Sequence, residues 1–303
     1  MIKRTLYFGN PAYLSVKNDQ LSIKRMDEKL NKEIITTVPI EDIGIIIIDN
    51  QQITCTHSVF EKLLANNAAV VTCDSTHHPT GLLLPLSGNS VQTERYKYQI
   101  EASLPLKKQL WQQTIERKIR NQAMVLKKRR NMEVNNMLFW ADSVKSGDSQ
   151  NHEARAAAFY WQNLLPEVDD FTRERYGDYP NNFLNYGYAI LRATMARALI
   201  SSGLLPTFGI FHKNRYNAYC LADDIMEPYR PYVDRIVLEI MDEFPNQFEI
   251  NKNIKAKLLQ IPVIDIFISG QRSPLMVGIS QTTASLQKCF ESGLRKIVYP
   301  ELQ

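Results

Sequence analysis

The sequence predicts an α+β chain of two domains: a mostly-β domain over residues 1–90 and a larger all-helical domain over 101–303, joined by a linker at 91–100. Three observations carry this expectation. Short β-branched runs dominate up to about Leu86, and from Leu106 onward the apolar residues recur every three or four positions instead. The 303 residues, 44% of them hydrophobic, are enough to bury more than one core.

In the first region, residues 5–8, 14–16, 21–23, 34–38, 43–48 and 69–72 read as strands. They are short, rich in Val, Ile, Thr and aromatic residues, and separated by Asn, Asp, Gly or Pro. Asn18-Asp19 between two of these runs has the chemistry of a hairpin turn. The exception is 58–65, where Val59, Leu63 and Leu64 follow helical spacing, so one short helix interrupts the strands.

The second region opens on Leu106, Leu110, Trp111, Ile115, Ile119, Ala123 and Leu126, which fall on one face of a long helix. Its other face carries Lys107, Lys108, Arg117, Lys118, Arg120, Lys127, Lys128, Arg129 and Arg130. Such a basic stripe suits DNA, with counterion release as the source of affinity; a merely solvated face is the alternative. Further helices are predicted over 132–144, 151–165 and 182–202, the last closed by Gly203 with Pro206 beyond it. Helical patterns follow at 217–226, 232–244, 254–260 and 281–297, and a hinge is placed near 89–98. No internal repeat or low-complexity tract interrupts the chain.

Composition narrows the function classes. Lys and Arg exceed Asp and Glu by 36 to 32, and a net charge of +4 does not by itself prove a nucleic-acid partner. Cys55, Cys73, Cys220 and Cys289 are widely spaced, and Met1-Ile2-Lys3-Arg4 begins no long apolar core, so reduced thiols in a cytoplasmic protein are expected. The apolar stretches at 44–48 and 81–86 fall far short of the roughly 20 residues that cross a bilayer, so no membrane is expected. No glycine-rich phosphate loop, Gly-x-Ser-x-Gly elbow or Cys-x-x-Cys pair occurs, which removes support from nucleotide-hydrolysis and redox chemistry. Cys55, His57, Cys73, His77 and His78 match no regular zinc spacing.

Candidate chemistry lies elsewhere. Asp224 and Glu227, three apart, share a face on a predicted helix whose earlier turns are largely apolar, and two anions so placed want a cation. Arg230 or Arg235 could supply it in a plain ion pair. His212 follows the apolar 208–211 and could equally be a buried histidine bonded to a backbone carbonyl. Glu153 begins a helix whose small residues, Ala154 and Ala156 to Ala158, would let a neighbouring helix approach closely; alternatively it only complements the helix dipole. Taken together, Glu153, His212 and Glu227 form a mixed nitrogen and oxygen set suited to Mn²⁺ or Mg²⁺ rather than structural zinc. An ion so held can polarise a phosphodiester and activate water or a sugar hydroxyl. Lys213, Arg215 and Arg230 are candidate phosphate holders, with Asn185, Tyr186 and Arg192 as supports for the scissile strand and Lys118 and Arg120 on the DNA stripe.

Several strings then acquire a common meaning. Leu6-Tyr7-Phe8, Asn10-Pro11-Ala12-Tyr13-Leu14, Cys73-Asp74 with His77 and Pro79, and the helix residues Trp111, Lys118-Ile119 and Asn121-Gln122-Ala123 stand in a specific order and spacing. So do Asn182-Phe183-Leu184-Asn185-Tyr186-Gly187-Tyr188, Gly209-Ile210-Phe211-His212, and the run from Leu221-Ala222-Asp223-Asp224-Ile225-Met226-Glu227 to Pro231. Over nearly its whole length the chain resembles the CRISPR-associated integrase that, with a small partner protein, inserts new spacers into a CRISPR array. The Cys-Asp-x-x-His-x-Pro segment points to the subgroup of type II systems.

The resemblance implies metal ligands at Glu153, His212 and Glu227, with Asp224 as an outer-shell acid. It also implies a β-sandwich-like amino-terminal domain, a helical catalytic domain, and a homodimer, two of which flank a dimer of the small second adaptation protein. Double-stranded DNA, both prespacer and CRISPR repeat, is the implied substrate, and other type II CRISPR proteins are implied as further partners. Ala154 departs from the glycine of many relatives, which a helix start without positive φ tolerates. The expected activity is metal-dependent strand transfer, a prespacer 3′-hydroxyl attacking a repeat phosphodiester, with related endonuclease activity. A structure-specific nuclease without integration and a non-catalytic DNA-binding scaffold are the rivals.

Overall fold

The computed structural model describes residues 3–27, 32–168, 171–175 and 177–303; Met1 and Ile2 lie outside them. Contacts divide the chain into two units, residues 1–90 and 91–303.

The first unit is built from two four-stranded sheets. Strands β1 (Arg4–Phe8), β5 (Ile43–Ile48), β7 (Ala69–Cys73) and β8 (Pro79–Leu83) form one in that order, parallel except for the last pair. Strands β4 (Lys32–Pro39), β3 (Gln20–Asp27), β2 (Ala12–Lys17) and β6 (Ile53–Cys55) form the other. β5 reads Ile-Gly-Ile-Ile-Ile-Ile and is buried along nearly its whole length, as a strand paired on both sides and covered on both faces requires. Helix α1 (His57–Ala65) contributes Val59 and Leu63 to a core that also holds Phe8, Leu14, Leu21, Val38, Ile46 and Val70. Asn18 and Asp19 both take positive φ, 51° and 54°, which is the turn that joins β2 to β3 with the right twist. β6 and β8 were not foreseen: three residues around Thr54, and a strand beginning at a proline, give little periodic signal.

The second unit is mostly helical: α2 (Gln92–Glu101), α3 (Leu104–Arg130), α4 (Asn135–Ser143), α5 (His152–Leu164), α6 (Asn181–Ser201), α7 (Cys220–Met226), α8 (Arg230–Glu243), α9 (Lys252–Leu258) and α10 (Leu275–Ser292). Ser103 caps α3 by accepting from the Leu106 amide, and Asn131 ends it in the left-handed region at φ 49°. Gly203, at φ 73°, stops α6 as its position implies.

Four expectations are corrected. The stretch at 91–100, expected as a linker with a hinge, is helix α2; Gln99 is buried there and its amide bonds the carbonyls of Leu205 and Phe208. The region is not all helical, because β9 (Asp265–Ile268) and β10 (Gln271–Pro274) form a hairpin across Ser269 and Gly270, both at positive φ. The last helix therefore begins at Leu275 and ends at Gly293 (φ 70°), not at 297. The predicted helix over 217–226 is also shorter, since the Asn217 side chain accepts from the Tyr219 amide and holds a turn instead.

Among the described residues no helix is long and apolar enough to cross a membrane, and the four cysteines are free thiols.

Candidate active site

Four segments of the second unit supply the charged side chains. Mid-helix on α3, Lys118 lies on the buried stripe that also presents Trp111, Ile115 and Gln122. α5 starts after a tight turn at Ser146–Asp148, where Gly147 takes φ 73°. Asp148 then receives the amides of both His152 and Glu153 at 2.9 Å, fixing the first turn that projects Glu153. Glu227 opens the single 3-10 turn Glu227–Tyr229 between α7 and α8. His212 lies in the segment between α6 and α7.

Lys118 joins the two glutamates. Its Nζ donates to Glu153 Oε1 at 2.7 Å and lies 2.6 Å from Glu227 Oε2. The other oxygen of Glu227 is 2.9 Å from Arg230 Nε. Neither contact of Glu227 is aligned as a hydrogen bond: Oε2 and Arg230 Nε are both buried without one, so these are bare ion contacts. Burial pushes the Glu227 carboxyl up, but Arg230 and Lys118 outweigh it and hold the group below its ordinary range. Burial works against the Lys118 ammonium in the same way, and Glu227 and Glu153 keep it charged.

His212 is anchored separately. Asp224, fully buried, takes the Phe211 amide on Oδ2 at 2.9 Å and bonds the imidazole Nδ1 through Oδ1 at 2.5 Å. The Asp224 hydrogen bond raises the His212 pKa against the effect of burial, and the charges of Glu227 and Glu153 act in the same direction. Both glutamates therefore belong to the electrostatic surroundings of the imidazole. Burial raises Asp224 itself against the hydrogen bonds it accepts. The backbone here leaves no spare room: a Cβ on Gly209 would lie 2.5 Å from the His212 carbonyl and 2.7 Å from Asp224 Oδ2. Beside the imidazole, Phe211 stacks flat on Trp111 with centroids 4.2 Å apart, while His212 meets Trp111 edge-on.

Asn121, one turn beyond Lys118 on α3, ties in two further segments. Its amide donates to the carbonyls of Pro228 and Pro300, and its oxygen accepts from the Leu302 amide.

Glu153 and Glu227 are thus brought onto one cation, with His212 and Asp224 as an adjoining pair. Asp224 and Glu227 lie one turn apart on continuous helical backbone, but Asp224 turns to His212 and Glu227 to Lys118 and Arg230. Among the described residues no three His, Cys, Asp or Glu side chains converge tightly enough to hold a metal ion as they stand. The chemistry of the donor set nevertheless fits one. Two carboxylates share a single cation, one buried oxygen has no aligned donor, and the imidazole is oriented through Nδ1 by a carboxylate, which leaves Nε2 for a ligand.

The expected DNA-contacting residues divide. Lys118 is buried between glutamates rather than on the solvent stripe, and Arg120 pairs with Glu116 and Asp142. Arg117, Arg129 and Arg130 likewise meet Glu301, Asp242 and Glu167, so much of the stripe is neutralised within the unit. Lys107, Lys108, Lys127 and Lys128 form no ion pair among the described residues. Arg192 pairs with Asp223, Asn185 bonds the backbone at Arg175, Tyr186 is fully buried, and Arg230 lies behind Glu227 over the Tyr188 ring. Lys213 and Arg215 are exposed; Arg215 lies over the ring of Tyr216, itself 81% exposed. The Lys107 pKa is lowered by burial and by the nearby charge of Lys213, an uncompensated pair suited to an anion. α5 packs against α3 and the small Ala156 is fully buried, while Ala157 and Ala158 line an open cleft of about 790 Å³ with Trp161. Ala154 is exposed in a regular helix, so its methyl is tolerated.

Sequence reasoning missed Lys118 as part of the cluster. The signal was present: a lysine in step with Trp111, Ile115 and Gln122 lies on the face that turns inward.

The family described as CRISPR associated protein Cas1 matches residues 6–269. A CRISPR-associated endonuclease Cas1 from Neisseria meningitidis is 36% identical, over 100% of this chain and 97% of that protein. Among solved structures, a casposase bound to integration product superposes with a TM-score of 0.79 at 21% identity, covering 98% of this chain and 92% of that one. A Cas6-RT-Cas1–Cas2 complex gives 0.76 at 20% identity, covering 99% of this chain and 36% of the other.

Proposed function

This chain belongs to the CRISPR-associated protein Cas1 family, and from that premise we propose that it is a metal-dependent DNA integrase of spacer acquisition. The observation that carries the reading is the meeting of Glu153 and Glu227, from two separate segments, on one cation beside an imidazole held by Asp224. Paired charges this costly to bury signal a site for exchangeable ions rather than a device for stability.

Glu153, Glu227 and His212 would hold Mg²⁺ or Mn²⁺, which supplies Lewis-acid stabilisation to phosphoryl transfer when bound. The protein's own groups do the remainder. Asp224 keeps the imidazole in one orientation and Arg230 keeps Glu227 ionised. Lys107, Lys213 and Arg215 offer exposed or partly exposed positive charge for DNA phosphates. Strand transfer here means that a 3′-hydroxyl oxygen bonds to the repeat phosphorus as the bond to the leaving 3′-oxygen breaks.

A homodimer that assembles with Cas2 on double-stranded prespacer and repeat DNA is the working assembly we infer. Its support is the Cas1–Cas2 complex and the product-bound casposase among the fold's neighbours. The type II subgroup, with its other CRISPR proteins as partners, and a cytoplasmic setting belong to the same reading.

The test is a joining assay with labelled prespacer, Cas2 and a supercoiled array plasmid in Mn²⁺. Wild type should yield joined product, while Glu153→Gln and His212→Ala should lose it by more than about a hundredfold and still bind DNA. Joining at the wild-type level in both variants would mean that Glu153 and His212 do not carry the chemistry. Cleavage without joined product would identify a nuclease instead.

A further inference from the structure

Lys118 is the unexpected member of the cluster. A lysine only 9% exposed, on a helix face that otherwise carries Trp111, Ile115 and Leu126, is costly unless its charge is matched. Here it is matched twice, by Glu153 at 2.7 Å and by Glu227 at 2.6 Å. With Arg230 on the second oxygen of Glu227, two negative charges face two positive ones and the cluster is neutral. A divalent ion added to these oxygens would leave it strongly positive and would repel the ammonium at close range.

We propose that Lys118 is an internal competitor of the divalent ion: its ammonium holds Glu153 and Glu227 together, and the metal binds by displacing it from them. The inference rests on the metal reading of these residues given above. It assigns to Lys118 a positioning role, acting through the two carboxylates, in place of the DNA contact expected from its sequence. Removing the ammonium then has two opposed effects. The carboxylates lose their matching charge, which weakens the fold in the absence of metal, and they become freer to bind Mn²⁺.

Calorimetric titration of Mn²⁺ into the full-length, chelator-treated protein measures the second effect, and thermal melting with and without Mn²⁺ measures the first. Lys118→Met should bind Mn²⁺ at least about tenfold tighter than wild type, the scale of one charge-assisted hydrogen bond released. It should also melt lower without metal and gain more on adding it. Lys118→Arg, which keeps the charge, should bind no tighter than wild type. Should Lys118→Met not fold without metal, Lys118→Gln, which retains an amide donor to Glu153, takes its place in the same titration.

Affinity unchanged or weakened in the neutral variant overturns the competitor role. The metal reading fails separately, and the competitor with it, if wild type takes up no Mn²⁺ or if Glu153→Gln leaves its uptake unchanged.

Discussion

Glu227 and Asp234 lie two helical turns apart in the chain, both almost wholly buried, and the protein treats them in opposite ways. Glu227 faces Lys118 and Arg230, and its carboxyl is held below the ordinary range. Asp234 faces hydroxyls: Tyr160 donates to one oxygen at 2.8 Å and Tyr188 to the other at 2.5 Å. Burial dominates there, and the Asp234 carboxyl is pushed up to about 6. Two anions of similar depth therefore differ in what surrounds them. A carboxylate in direct contact with cations can exchange one for another, whereas Asp234 feels Arg173 and Arg230 without pairing directly with either and is held by the tyrosines instead. The first arrangement suits a reacting site and the second a structural tie between α5, α6 and α8.

The sharpest way to break this contrast is to neutralise each acid in place. Glu227→Gln should lower strand joining by more than about a hundredfold, while Asp234→Asn should leave joining by the folded protein within about threefold. Equal losses in the two variants, measured in the same assay at matched folded concentration, would abolish the distinction.

Asp224 provides an intermediate case, because its partner is an imidazole rather than a cation or a hydroxyl. Asp224→Asn should weaken Mn²⁺ affinity by about 10- to 100-fold, the usual consequence of losing a carboxylate behind a metal-binding histidine. Calorimetry decides it, and an affinity unchanged by the substitution would mean that His212 needs no such support.

The smallest effect lies in the pH dependence of stability. Asp234, raised from 3.8 to about 6, keeps its proton in the folded protein after the unfolded chain has released it. Its contribution to stability therefore falls as pH rises through that window, by up to about 3 kcal/mol. Glu227 is lowered, so its contribution is present above the unfolded carboxyl pKa and is lost as pH falls through the folded one. Urea midpoints across pH 4 to 6 should fall more gently with pH in Asp234→Asn than in wild type. Parallel profiles would show that Asp234 does not titrate there.

Much of the architecture was legible because periodicity reports burial. Asn18-Asp19, Gly203 and the stripe from Leu110 to Leu126 each declare a turn, a stop or a buried face through local chemistry alone. The hairpin of β9 and β10 went unread although Ser269-Gly270 is a turn signal, since four-residue strands carry too little alternation to compete with the helices around them. Glu153, His212 and Glu227 were readable as residue types, and their order matched a family. Their mutual placement was not readable, because it depends on Asp148 and Gly209 fixing the backbone at two distant points. The basic face of α3 misled for a related reason: sequence shows the lysines and arginines but not the acids that other segments deliver to them.

Asn121 makes one amide group answer to two parts of the chain at once, the proline that follows Glu227 and the stretch from Pro300 to Leu302. Whatever pulls on residues 300–302 is thereby transmitted, through a single side chain on the helix that carries Lys118, to the backbone beside Glu227. Alterations far along the polypeptide from Glu227 should consequently register as changes in chemistry before they register as loss of fold.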